Sequence, residues 1–296
     1  MTRAAATATR PRRASAIPAV SALIALVIFA AVSTALVYKV ALGTGWGFRL
    51  DSSVLGQGVD RGANPGVYNA TSRLLDTIDI SSLAVVGFGI ATIAVMRRRP
   101  ASAIAAGALI VGANVTTQIL KKALGSSDPL GSEGVRAGVG AYPSGHATVA
   151  LSLALALVIV APPALRALMA VAATLYASGV GIAVVALGWH YPSDVIGGFA
   201  VCAAWAAAAA VGAWAFSGRR QTSPPRDTAG VTAALIAAVA VAAAVATAAV
   251  SRRDRLIVFA DVHPRLIAGA IGITACAAVI SVALARLLSR LPVRAV

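Results

Sequence analysis

Charge is what this sequence has least of. Of 296 residues, 12% are Asp, Glu, Lys or Arg, while 59% are hydrophobic, and the mean hydropathy is +0.85. A soluble domain carries about 25% charged residues. A chain this apolar has too little polar surface to cover a core in water, so composition excludes an ordinary soluble domain. Acids are the scarcest charge: 10 Asp and Glu stand against 25 Lys and Arg, for a net charge of +15. Aromatics are only 5%, and the basic residues sit beside apolar runs. This argues against a nucleic-acid partner and for topological anchoring in a membrane. The two cysteines, Cys202 and Cys276, lie inside apolar runs and offer neither a disulfide framework nor metal-ligand spacing. Histidine occurs three times.

What is there is a series of apolar runs, over about residues 17–38, 80–96, 101–120, 147–161, 165–187, 194–216, 228–250 and 266–289. Each approaches the roughly 20 residues a helix needs to span a bilayer. The sequence therefore predicts an all-α, polytopic transmembrane bundle of eight helices. The basic, acid-free N-terminus precedes a run too long for a cleaved signal peptide, so the first helix is read as retained. Pro162 and Pro163 mark the break between the fourth and fifth runs. Abundant Ala and Val suit helices that approach closely in lipid.

The basic N-terminus, Arg97–Arg99, Arg166, Arg219, Arg220 and Arg226, and Arg286, Arg290 and Arg294 fall on one face of this arrangement, which the positive-inside rule makes cytoplasmic. Both termini are then cytoplasmic and the membrane is the plasma membrane. The opposite face carries the segments 39–79, 121–142 and 188–191. One segment disobeys the charge rule: SRRDRLIVFADVHPR, before the last span, places four arginines on the outer face. The chain divides into a basic N-terminus (1–16), a six-helix membrane domain (17–216), a Pro/Ser-rich linker (217–227) and two further helices with a basic end (228–296). Nothing in the sequence sets its oligomeric state.

Two of the three histidines open spans on that outer face. Tyr142-Pro143-Ser144-Gly145-His146 precedes the fourth helix, and Trp189-His190-Tyr191-Pro192-Ser193-Asp194 the sixth. A helix N-terminus presents unpaired amides and a partial positive charge, so it suits an anion. Ser144 offers a hydroxyl, Gly145 an accessible amide, and Lys121 a point charge. His190 and Asp194, four apart, share a helix face. There the carboxylate fixes the imidazole tautomer and supports a nucleophilic histidine, while His146 is placed to protonate a leaving group. Anion cradle, nucleophile and acid together describe phosphoryl transfer. Taken singly, the same residues have plainer uses: Ser144 as an N-cap, Pro192 as a helix-starting proline, Asp194 as a dipole counter-charge, Lys121 as a snorkelling interfacial lysine. His263 reads as a structural or surface residue without a partner.

Lys121 through Pro129, then Pro143-Ser144-Gly145-His146, then Ala183-Val184 followed after five residues by His190 and after three more by Asp194, resemble the three motifs of the type 2 phosphatidic acid phosphatases. That family shares its fold with vanadium haloperoxidases. The resemblance covers about residues 80–216. It implies a six-helix core in which His190 attacks phosphorus to form a phosphohistidine, Asp194 holds His190, and His146 protonates the leaving oxygen. Lys121, Ser144 and the Gly145 amide bind phosphate oxygens. It implies no metal and no cofactor, and a membrane lipid phosphate or polyprenyl diphosphate as substrate. The departures are specific. The first motif's arginine is Asp128, and the third motif's Ser-Arg is Ala183-Val184, so two guanidiniums that clamp phosphate are absent. Losing one preorganised donor costs about 3–4 kcal/mol of transition-state stabilisation. Arg136, Lys122 or Arg73 is the available substitute. The alternative reading is a catalytically weakened relative that binds a lipid phosphate or a partner without turnover.

Overall fold

The computed structural model describes residues 13–59, 61–62, 64–76, 78, 80–97, 99–124, 141–216 and 251–291. Among these there is no strand. Ten α-helices follow in order: α1 Arg13–Gly43, α2 Gly45–Leu55, α3 Pro65–Leu75, α4 Ile80–Met96, α5 Pro100–Leu124, α6 Gly145–Val160, α7 Arg166–Ala186, α8 Pro192–Phe216, α9 Arg253–Val262 and α10 Pro264–Arg290. Five of them, α1, α5, α7, α8 and α10, are long and apolar enough to cross a bilayer, and α4 and α6 are shorter apolar helices. The chain is an all-α integral membrane bundle. The expected seventh span, 228–250, and the linker before it lie outside the described residues.

α8 is central. α1 lies along it, α5 and α6 pack beside it, α7 closes on α6, and α10 closes on α7 and α8. Lipid supplies no hydrophobic force between helices, so they adhere by close packing and interhelical hydrogen bonds. Both are present here. A Cβ on Gly112 of α5 would fall inside the Trp205 indole of α8, and Trp205 Nε1 donates to Thr116 Oγ1 at 3.0 Å. Asn114 Nδ2 donates to Ser152 Oγ at 3.2 Å, and the Thr117 and Thr148 hydroxyls pair at 3.0 Å. At the opposite end, buried Arg166 donates from Nη1 to Leu288 O at 2.9 Å, satisfying a carbonyl at the C-terminus of α10.

Three boundaries differ from the sequence expectation. The segment after the first span is not an irregular loop but holds α2 and α3. Thr44 caps α2 by accepting from Gly47 N at 3.2 Å, and Pro65 opens α3. α5 runs four residues beyond the expected end at 120, so Lys121 lies in its last turn. α9 forms within the arginine-rich segment. The break at Pro162 is real: a single 3-10 turn over Pro163–Leu165 separates α6 from α7.

Candidate active site

The third motif is built from the end of α7. Gly188 has φ +73°, and two hydrogen bonds close the helix around it: Trp189 N to Val184 O at 2.8 Å and Gly188 N to Val185 O at 3.0 Å. This is a Schellman termination, in which glycine takes the left-handed position. The chain therefore reverses at once, and His190 falls between the end of α7 and the start of α8. His190 N also reaches Val184 O, at 3.2 Å.

Pro192 is the first residue of α8, so Tyr191 occupies the capping position with no side chain suited to capping. Two carboxylates do that work instead. Asp194 Oδ2 accepts from Tyr191 N at 3.1 Å, the reach-back half of a capping box. The same oxygen lies 3.2 Å from His190 Nδ1. A carboxylate only accepts, so the His190 proton is on Nδ1 and Nε2 is left with its lone pair. Asp51, from α2, accepts from Ser193 N at 3.1 Å and from the Ser193 hydroxyl. His190, Ser193, Asp51 and Asp194 are all buried.

The second motif docks on the third. Ser144 N donates to Asp194 O at 2.8 Å. Ser144 Oγ caps α6 by accepting from Ala147 N at 3.4 Å, and Thr148 Oγ1 returns to Ser144 O at 2.8 Å. Glycine permits the approach: a Cβ on Gly198 would sit 2.9 Å from both Ser144 O and Thr148 Oγ1. Tyr142 is fully buried and donates its hydroxyl to Thr34 O at 2.6 Å, tying the motif to α1. Burial, and then the negative charge of Asp194, raise its pKa well above the usual phenol value, so it stays neutral.

Lys121 arrives from α5. A Cβ on Gly145 would lie 3.3 Å from Lys121 Nζ, so the ammonium stands over the first residue of α6. His146 is half-buried, with its ring 5.5 Å from the Trp189 indole at 51°. It lies within electrostatic reach of His190 and Lys121. All six residues expected from sequence are thus gathered where α5, α6 and α8 meet. A buried imidazole held by a carboxylate, a second imidazole, an ammonium and a helix N-terminus form a set that can bind an anion and move a proton at its edge.

Of the substitutes for the two motif arginines, Arg136 lies outside the described residues, as does Asp128. Lys122 and Arg73 are exposed. Val184 is fully buried among α7's packed residues and offers the site only its carbonyl.

Asp51 was missed by sequence reasoning, and so was Gln57. Gln57 Oε1 accepts from Arg265 N at 2.7 Å and Leu266 N at 3.2 Å, capping α10 as Asp51 caps α8. His263, read as partnerless, has Nδ1 3.1 Å from Gln57 O and its ring 4.5 Å from that of Phe259. Val59 N donates to Ala186 O at 2.6 Å, so α10 begins on the same face of the bundle as His190. The available signal was scarcity: an acid in a chain with only 10 of them has a use. Asp51→Ala should destabilise the protein by about 1–2 kcal/mol, as loss of a helix cap does, while Asp51→Asn, which keeps an acceptor, should lose less than half of that. Thermal unfolding in detergent reads the difference.

The fold and the spans define an integral membrane protein of the helical type, with its polar centre at one end of the bundle. Residues 80–219 match the model of the PAP2 superfamily, a family of membrane phosphatase type, so this segment of the chain is similar to that superfamily. Comparisons with curated proteins and with solved structures gave no match. α1, α2, α3, α9 and α10 lie outside the matched segment.

Proposed function

We propose that this chain is a lipid phosphatase of the plasma membrane. It cleaves a phosphomonoester or diphosphate from a membrane lipid, with both termini cytoplasmic and the site on the outer face. One observation carries the reading: His190 Nδ1 is held by Asp194 in a buried pair, so Nε2 keeps its lone pair, at a site that also holds His146 and the Lys121-covered start of α6. In the first half-reaction the Nε2 lone pair forms a bond to phosphorus, the bond from phosphorus to the lipid oxygen breaks, and His146 gives that oxygen its proton. Asp194 balances the positive charge that develops on the imidazole. In the second, neutral His146 takes a proton from water, the resulting hydroxide attacks phosphorus, and the N–P bond breaks. Lys121, the Ser144 hydroxyl and the Gly145 amide hold the phosphate oxygens. Purified protein in detergent should release phosphate from phosphatidate or a polyprenyl diphosphate; no release from either class opposes the reading.

A second reading, lipid-phosphate binding without turnover, draws on one observation. The position of a motif arginine is Val184, sealed in the bundle. The double variant Asp128→Arg, Val184→Arg separates the two. Activity gained from an inert parent supports binding without turnover, and a fully active parent refutes it.

A further inference from the structure

Below His146 the bundle is not filled. A cavity of about 290 Å³ lies between α4, α6 and α7. Its α6 wall is Val149, Leu153, Ala154 and Leu157; Val149, Leu153 and Leu157 follow His146 by three, seven and eleven residues and so continue that histidine's face down the helix. Val149 to Leu157 is a rise of about 12 Å. The other walls include Val86, Met169 and Tyr176. α4 starts, and α7 ends, on the site's face, so the cavity runs down the bundle along the helices. Val86 is 42% exposed, which opens the cavity sideways to the bilayer.

The chemistry fixes what such a cavity meets. In an in-line displacement the leaving oxygen lies opposite the nucleophile, hence on the side of His146 rather than His190. That oxygen carries the lipid. A chain continuing from it reaches the apolar wall one turn below His146.

We propose that this cavity receives the hydrocarbon chain of the lipid phosphate, and that Val149, Leu153, Leu157 and Met169 set which chains are accepted. The inference rests on the phosphatase reading of the site. It commits to a chain whose head is in that site, not to bulk lipid covering a helix face.

The test uses the full-length protein and a phosphatidate analogue bearing a diazirine in its chain, photolysed and mapped by mass spectrometry. Labelling should fall on the cavity residues and be competed by unlabelled phosphatidate. The matching diazirine diacylglycerol, with no phosphate, should label them at least about tenfold less. Equal labelling by that analogue, or labelling confined to other helices, overturns the proposal. Cavity labelling without any phosphate release keeps the chain site and sinks the phosphatase reading. Release with labelling elsewhere does the reverse. Ala173 also lines the cavity. Ala173→Leu should lower kcat/KM for long-chain phosphatidate about tenfold and leave a short-chain phosphate ester unchanged, while Leu157→Ala should move the optimum to longer chains. An unchanged chain-length profile in both variants contradicts the proposal.

Discussion

His190→Ala should reduce phosphate release from a lipid phosphate by about 10⁵-fold, to the level left by binding and electrostatics alone. The reason is that the site offers no second nucleophile in the same position. His146 sits at the start of α6 beside Trp189, without a carboxylate partner among the described residues, whereas His190 is oriented by Asp194. The helices should be unaffected. The side chain of His190 is not the group that caps α8, and the backbone bonds of Trp189 and His190 to Val184 survive truncation. Thermal unfolding of His190→Ala within about 1 kcal/mol of the parent, alongside lost turnover, separates chemistry from folding.

Asp194→Asn should lower kcat by about 10³–10⁴-fold with little change in KM. Asparagine can still accept from Tyr191 N, so the cap on α8 persists. On the proposed mechanism, what goes is the negative charge that fixes the Nδ1–H tautomer and balances the imidazolium as the N–P bond forms. Asp194→Ala, by contrast, removes the cap as well and should add a stability loss of about 1 kcal/mol. A result in which Asn and Ala variants lose activity only in proportion to stability would make Asp194 a structural cap and nothing more.

The parts of this protein that were legible in the sequence are those where one residue type has one dominant physical use. Long apolar runs could only be helices in lipid, and α1, α4, α5, α7, α8 and α10 lie where the runs are. Ser144 before Gly145 reads as a cap and is one. The spacing of His190 and Asp194 was enough to pair them. The superfamily match over residues 80–219 bears out the family resemblance read from those motifs.

What was hidden depends on contacts between distant segments. α2 is short, and its value lies in bringing Asp51 across 142 positions of sequence to Ser193. Gln57 reaches across 208 positions to Arg265 in the same way. Tyr191 and His263 are poor caps preceding proline, a deficiency visible locally, but the side chains that remedy it are not. The arginine-rich segment shows the same limit. Its charges were legible as an exception to the positive-inside rule, but not that its residues would form α9, or that His263 would meet Gln57.

The measurement that bears most directly on the central claim is capture of the covalent intermediate. Protein turning over phosphatidate labelled in its phosphate, quenched rapidly in alkali, should carry acid-labile label on the peptide containing His190. His146→Ala, which on the proposed mechanism weakens proton transfer to the leaving oxygen and from water, should form that adduct more slowly and also lose it more slowly than the parent. Label on His190 supports nucleophilic catalysis by the pair that Asp194 holds. Sustained turnover with no label on any histidine, or label on His146 instead, contradicts it.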